Sequence, residues 1–134
     1  MPSKRILLAE THHTFVGVVR LILRDTGSTM LTAADEASLV EAVSNTRFDL
    51  VIADLSFPIS SDGNVVRLLH RLNSGLTAII VSVHDEPTVA RECIAEGAKG
   101  FVLKRTAATD LLVAVEAVSN GGTYISPAVD LEIH

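Results

Sequence analysis

The sequence has little of several features that mark whole classes of protein. It contains a single cysteine, Cys93, so no disulfide can form within the chain, and a cytoplasmic location is the natural expectation. It has no tryptophan and only 4% aromatic residues, so its core must be built from aliphatic side chains. No apolar run approaches the ~20 residues that a membrane span requires, so we expect no membrane contact.

Positive charge is also in short supply. Lysine and arginine together number 11 against 16 acidic residues, which gives a net charge of −5. No basic patch stands out, so direct binding of this chain to nucleic acid is not expected. What the chain does have is apolar residues, 48% of the 134. That content suits one domain that buries about two thirds of its unfolded surface.

Short apolar runs alternate with amphipathic stretches five times. The runs are near-continuously apolar, as expected of parallel strands covered on both faces, and they are Ile6–Ala9, Thr29–Ala33, Leu50–Ala53, Ala78–Ser82 and Phe101–Leu103. This alternation predicts a (βα)₅ fold of the α/β class, a doubly wound five-stranded parallel sheet with helices on both faces. We expect the flavodoxin-like version of this fold, which has the strand order 2-1-3-4-5. We expect the domain to span residues 1–122, with 123–134 as a C-terminal tail or linker stub.

Polar side chains stand where four of the predicted strands end. Ligands of open α/β sheets bind beyond the carboxyl ends of the strands, and the residues there are Glu10, Asp54, Ser82 and Lys104. Two carboxylates, a hydroxyl and an ammonium along one rim suit a divalent cation and a phosphoryl group. His12 and His13, just beyond the first strand, are interpreted as surface residues because they lack the spacing of a metal site.

Three segments and the chain's ending resemble a known family. The segment DLVIADLSFP at residues 49–58, followed by Asp62-Gly63, resembles the phospho-acceptor segment of response-regulator receiver domains, which serve two-component signalling. The segments at 79–85 (IIVSVHD) and 97–104 (GAKGFVLK) resemble the strands that carry their hydroxyl and their lysine. The ending GGTYISP at 121–127 is similar to the NarL/FixJ-like subfamily, whose receivers precede a LuxR-type helix-turn-helix domain that is absent from this chain.

The resemblance implies a role for each matching residue. Asp54 would be the phospho-acceptor, taking a phosphoryl group from a sensor histidine kinase. Lys104 would neutralise charge on the transferring oxygens. Ser82 would bind a phosphoryl oxygen and move toward it, and Phe101 would follow as the second switch residue. The outcome would be control of a transcription-regulating output domain, so DNA would be contacted only through that missing domain; a homodimer is a further candidate assembly.

The metal site implied by the resemblance departs from the family pattern. Receivers carry two adjacent acids after the first strand, whereas this chain has Glu10-Thr11. The expected ligands of Mg²⁺ are Glu10, Asp54 and the backbone carbonyl of Ser56, with Thr11 as a weak replacement for the usual acid. Losing one carboxylate removes an oxygen ligand and a unit of charge, so we expect weak Mg²⁺ binding and slow phosphorylation. Near the acceptor, His84 would modulate dephosphorylation.

One alternative function stays open and two others fit poorly. Because Thr11 replaces an acid, the chain could be a degenerate receiver that acts without phosphate as a protein-interaction or dimerisation module. A phosphatase with an aspartate nucleophile would need a second aspartate where Ser56 stands. A flavin or cobalamin carrier would need a phosphate-binding loop or a histidine motif that the residues after the first strand do not match. We expect no enzyme activity beyond slow self-dephosphorylation.

Overall fold

A computed structural model describes residues 4–60 and 63–129 and shows one parallel β-sheet with helices on both faces. The strands are β1 (Arg5–Ala9), β2 (Thr29–Ala33), β3 (Leu50–Asp54), β4 (Ala78–Ser82), β5 (Gly100–Leu103) and β6 (Tyr124–Ile125). The helices are α1 (His13–Leu23), α2 (Glu36–Asn45), α3 (Val65–Leu72), α4 (Pro87–Ala95) and α5 (Ala107–Ser119). Two parts of the sequence predictions lie outside the described residues. They are Asp62, which belongs to the segment resembling a phospho-acceptor site, and residues 130–134 of the expected C-terminal tail.

The sheet has the order β2-β1-β3-β4-β5-β6, with every pair of neighbours parallel. The predicted order of the first five strands is therefore confirmed. A short sixth strand continues the sheet beyond β5, where Tyr124 and Ile125 lie beside Gly100 and Phe101. This strand falls within the segment that the sequence suggested to be a tail or linker stub.

The hydrophobic core consists of two layers, one on each face of the sheet. Side chains alternate along a strand, so Leu7 of β1 packs with α2, α3 and α4, whereas Ile6 and Leu8 pack with α1 and α5. Every residue of β3, β4 and β5 is buried. Near-continuous apolar composition follows from this position, because both faces of these strands are covered by helices.

β2 departs from this pattern. Thr29 and Thr32 are exposed, and 46% of Leu31 is accessible to solvent. The expectation that all five strands are covered on both faces is therefore wrong for β2. The physical reason is its place at the edge of the sheet, where β1 is its neighbour on one side and the other side is open.

The segment after α5 is held to the domain by a buried carboxylate. Asp110 of α5 accepts hydrogen bonds from the hydroxyls of Thr106 (2.6 Å), Ser126 (2.7 Å) and Tyr124 (3.3 Å). Ser126 in turn accepts a hydrogen bond of 3.0 Å from the backbone N–H of Leu103 at the end of β5. Residues 124–129 thus pack against the domain, tied to the strand end that leads into Lys104.

We expect Asp110→Ala to lower the free energy of unfolding by about 2 kcal/mol, because three hydroxyl donors lose a buried acceptor. Urea denaturation monitored by circular dichroism measures the effect. Asp25→Ala is the matched control, since that carboxylate is 91% exposed and its loss should change stability by less than about 0.5 kcal/mol. Equal stability of Asp110→Ala and the wild type would show that this network is not a stabilising feature.

Cys93 is buried on α4. Burial, together with the nearby charges of Glu96 and Glu92, raises the pKa of the thiol to about 12. At pH 8 only about one thiol in ten thousand is then the reactive thiolate. We expect iodoacetamide to alkylate the folded protein very slowly and the urea-unfolded protein readily, as followed by mass spectrometry; rapid alkylation of the folded chain would contradict the buried position.

None of the helices in the described part of the chain is long and apolar enough to cross a bilayer.

Candidate functional site

Three charged side chains meet beyond the carboxyl ends of β1, β3 and β5. Glu10 follows β1, Asp54 is the last residue of β3, and Lys104 follows β5. The Lys104 ammonium nitrogen lies 2.9 Å from Glu10 Oε1 and 3.0 Å from Asp54 Oδ2. The two carboxylate side chains are 0% and 4% exposed, and the lysine side chain is 15% exposed. We call Glu10, Asp54 and Lys104 the carboxylate–lysine cluster.

The parallel register explains how residues so far apart in sequence meet. Ala9 of β1 is paired with Ala53 of β3, so the residues that follow them emerge side by side. Lys104 must cross β4 to reach Asp54, and neighbouring strands stand about 4.8 Å apart. A long side chain is therefore required at this position. Its ammonium also lies 4.7 Å from the centre of the Phe15 ring, a cation–π contact that helps to hold it over the rim.

Asp54 is held as an ionised carboxylate. Its Oδ1 accepts hydrogen bonds from the backbone N–H (3.1 Å) and the hydroxyl (3.0 Å) of Ser56, and its Oδ2 accepts one from Lys104. Burial acts to raise the pKa of Asp54, but the Ser56 hydrogen bonds and the Lys104 ammonium outweigh it and hold the pKa below its usual value. For Lys104, burial acts to lower the pKa, yet Glu10 and Asp54 together raise it.

Glu10 is partnered differently at its two oxygens. Oε2 accepts hydrogen bonds from the backbone N–H groups of Thr11 (3.2 Å) and His12 (3.1 Å), and it also lies 3.1 Å from the His12 imidazole Nδ1. Oε1 has the ion pair with Lys104, without the alignment of a hydrogen bond, and has no hydrogen-bond partner among the described residues. Thr11 is exposed and meets Glu10 through its backbone.

The remaining predicted residues lie on the two neighbouring strands β4 and β5 and in the loop after β4. Ser82 is buried at the end of β4, the strand between β3 and β5, and its hydroxyl accepts a hydrogen bond of 2.9 Å from the His84 N–H. His84 is exposed, with Nδ1 3.7 Å from a Glu86 carboxylate oxygen. Phe101 is fully buried in β5, and its carbonyl accepts a hydrogen bond from the Ser126 N–H.

His12 is the residue of this site that sequence reasoning missed. Ligand atoms of Glu10, His12 and Asp54 all lie within 4.8 Å of one another. The spacing of the histidines along the chain gave no sign of this. The available signal was the position of His12 two residues past a strand-end glutamate, where the turn brings its ring back onto the Glu10 carboxylate.

The donor set of the site fits a divalent cation. Two buried carboxylates carry two negative charges against the single positive charge of Lys104, so an uncompensated negative charge remains. The buried Glu10 Oε1 has the ion pair with Lys104 but no hydrogen-bond partner among the described residues. Carboxylate oxygens are the ligands that Mg²⁺ prefers, and the residues that could hold it are therefore Glu10 and Asp54.

Comparison with models of protein families identifies the family to which this chain belongs. Residues 6–116 match the family model of the response regulator receiver domain. The chain belongs to the receiver domain family. Receiver domains usually bind Mg²⁺ at an acidic cluster, and the cluster around Glu10 and Asp54 is the candidate for that site in this receiver.

Individual relatives of this receiver are regulators of transcription. The regulatory protein UhpA of Salmonella typhimurium is 35% identical over 82 residues, which cover 61% of this chain and 40% of UhpA. The probable regulatory protein NarL of Mycobacterium tuberculosis is 27% identical over 131 residues, which cover 96% of this chain and 61% of NarL. The receiver thus spans roughly half the length of these curated relatives, and the predicted NarL/FixJ-like subfamily is confirmed.

Solved structures agree with the fold. A two-component response regulator of the LuxR family from an Aurantimonas species has a TM-score of 0.85 at 27% identity, covering 98% of this chain and 96% of that one. The isolated receiver domain of RcsB from Salmonella enterica, determined with the phosphomimetic BeF₃⁻, has a TM-score of 0.85 at 21% identity and 96% coverage of both chains. The flavodoxin-like doubly wound architecture predicted from the sequence is confirmed.

Proposed function

We propose that this receiver is a phosphorylation switch in a two-component relay. In this proposal Asp54 accepts a phosphoryl group from the phosphohistidine of a sensor histidine kinase, in the cytoplasm where ATP charges such kinases. The resulting change controls a DNA-binding output domain that belongs to the intact regulator and lies outside this chain. One observation carries the proposal: an ionised carboxylate at the mouth of the sheet is held between the Lys104 ammonium and the Ser56 N–H and hydroxyl.

The chemistry follows from these positions. An Asp54 oxygen attacks phosphorus in line, the phosphorus–nitrogen bond to the kinase histidine breaks, and the imidazole leaves with its electron pair. The Lys104 ammonium, already 3.0 Å from Asp54 Oδ2, pairs with a phosphoryl oxygen as charge moves away from the carboxylate. Glu10, Asp54 and the backbone carbonyl of Ser56 would hold Mg²⁺, which when bound neutralises part of the phosphoryl charge.

Metal binding at this site is proposed to be weak. Thr11 stands where receivers carry a second acid, and its backbone rather than a carboxylate meets Glu10. Restoring the acid with Thr11→Asp should therefore tighten Mg²⁺ binding and speed phosphorylation. If Mg²⁺ binds the wild type as tightly as it binds Thr11→Asp, the weakening does not exist.

The switch is proposed to run through Ser82 and Phe101. In the unmodified protein the Ser82 hydroxyl accepts a hydrogen bond from the His84 N–H. An aspartyl phosphate would offer an oxygen to which the same hydroxyl could donate its proton. Phe101 lies on the neighbouring strand, one hydrogen bond from Ser126. A movement of Ser82 and Phe101 would thus reach residues 124–129, the last segment that the structure describes. His84, which is exposed and two residues beyond Ser82, is proposed to modulate dephosphorylation.

Partners beyond the kinase are proposed by analogy with the relatives. Two of the similar structures are those of RcsB bound to DNA, one of them with two RcsB dimers. In this chain Leu21 of α1 is 60% exposed and Val113 of α5 is 51% exposed, on helices that pack side by side. Homodimerisation through exposed apolar side chains is the assembly we propose, and sedimentation of the chain with and without phosphorylation tests it.

The direct test of the proposed function is the intact mass of the wild-type chain after exposure to acetyl phosphate, with and without Mg²⁺. We expect the mass of one phosphoryl group to be added, slowly, and faster with Mg²⁺. Unchanged mass in both conditions, with no response to beryllofluoride, would overturn the proposal in favour of a degenerate receiver that acts as an interaction module.

A further inference from the structure

The exposed imidazole of His12 contacts one carboxylate oxygen of Glu10, and Lys104 contacts the other. Lys104 approaches Oε1 at 2.9 Å, whereas His12 Nδ1 lies 3.1 Å from Oε2. The histidine side chain is 70% exposed and the glutamate side chain is fully buried. The exposed imidazole is therefore the part of this pair that an incoming cation meets first, and an ion held between it and Oε2 would leave the ammonium on Oε1 in place.

The spacing of the donor atoms suits one ion. Donors of Glu10, His12 and Asp54 lie within 4.8 Å of one another. A tetrahedral Zn²⁺ ion with ligands at about 2.1 Å holds its donors about 3.4 Å apart. The widest pair of donors would therefore close by up to about 1.4 Å as the side chains rotate onto the ion. The uncompensated negative charge of the carboxylate–lysine cluster supplies an independent reason for a cation here.

We propose that Glu10, His12 and Asp54 form a site for a first-row transition-metal ion of the Zn²⁺ type, with His12 as the nitrogen ligand that discriminates it from Mg²⁺. Imidazole suits Zn²⁺, whereas Mg²⁺ takes oxygen ligands and keeps its waters. His12 binds through Nδ1 as the neutral ring, with its proton on Nε2. In this proposal the His12 nitrogen replaces the carboxylate oxygen that an acidic residue at the position of Thr11 would provide.

This inference rests on the proposed function, since the ion would bind at the proposed phosphorylation site. Binding of a transition metal there would make phosphoryl transfer to Asp54 depend on the supply of that metal. The binding claim itself needs no phosphoryl transfer. Its test is therefore separate from the test of the proposed function: a wild type that gains no phosphoryl group could still bind Zn²⁺ through His12, and the reverse also holds.

The test compares two adjacent histidines by isothermal titration calorimetry of metal-free protein with ZnCl₂ and with MgCl₂. His12→Ala should weaken Zn²⁺ binding by roughly 10- to 100-fold, the range seen even for outer partners of metal ligands, and should leave Mg²⁺ binding within about twofold of the wild type. His13→Ala, which removes an exposed imidazole one residue away, should bind both ions like the wild type.

Two further measurements make the ligand assignment specific. Glu10→Gln should weaken both Zn²⁺ and Mg²⁺, because it removes a ligand charge common to both ions. In ¹⁵N spectra of the wild type, Zn²⁺ should shift the Nδ1 resonance of His12 and leave that of His13 in place. Zn²⁺ binding that is unchanged in His12→Ala, or weakened equally in His13→Ala, would overturn the proposal. So would a wild type that binds Mg²⁺ more tightly than Zn²⁺.

Discussion

Asp54→Ala is expected to abolish phosphoryl uptake from acetyl phosphate completely. Asp54 is the proposed nucleophile, and its carboxylate is ionised at neutral pH and oriented by Ser56 and Lys104. Alanine has no oxygen to bond to phosphorus, so no partial activity should remain. Intact mass spectrometry after incubation with the phosphodonor and Mg²⁺ measures the loss directly.

The matched control for this prediction is Asp85→Ala. Asp85 lies in the loop after β4, about half exposed and paired with Arg105 at 3.1 Å. Because that pair is exposed, its removal should change stability by less than about 1 kcal/mol, and the variant should be phosphorylated like the wild type. A phosphoryl mass gain that persists in Asp54→Ala would rule out Asp54 as the acceptor.

Lys104→Met is expected to lower the free energy of unfolding by about 3 kcal/mol, since it leaves two buried carboxylates without their counter-charge. In the wild type the ammonium lies within 3.0 Å of an oxygen of each. Methionine keeps most of the length of the side chain and removes only the charge and its donors. Urea denaturation of the two proteins without divalent cations measures the difference.

Although Lys104→Met should destabilise the metal-free protein, we expect it to strengthen the binding of a divalent cation. With the ammonium gone, the site carries two negative charges instead of one, so a divalent cation should bind more tightly and stabilise Lys104→Met more than it stabilises the wild type. Lys99→Met is the control, because Lys99 is exposed just before β5 and should show neither effect. Equal stabilisation of Lys104→Met and the wild type by Mg²⁺ would show that the lysine charge does not oppose cation binding.

Most of the fold followed from local composition. The runs that begin at Leu50 and Ala78 are apolar on both faces, because central strands are covered by helices on both sides, and the structure places them there. Strand ends could also be located, since the apolar run stops where the chain reaches solvent. Asp54 and Lys104 were found in this way, and they lie 3.0 Å apart.

Other features depended on position in the sheet rather than on composition. The composition of β2 predicts a buried strand, but β2 lies at an open edge of the sheet. Tyr124 and Ile125 were predicted to belong to a tail, but they form β6. Two residues are too short a run for any periodicity, and the strand exists because β5 offers a free edge and Asp110 holds Ser126. Such contacts join residues distant in sequence and leave no local pattern.

The sequence by itself determined the family of this protein, the order of its strands and the identity of the charged residues at their ends. The family and the strand order it implies follow from motif segments of about ten residues, and the strand ends follow from hydrophobic periodicity; both kinds of signal are local in the chain. Only the tertiary structure decided which oxygen meets which partner: Lys104 on Oε1 of Glu10 and His12 on Oε2. The reason is that ion pairs and coordination depend on distances of a few ångströms between side chains, and those distances are set by strand register and turn geometry.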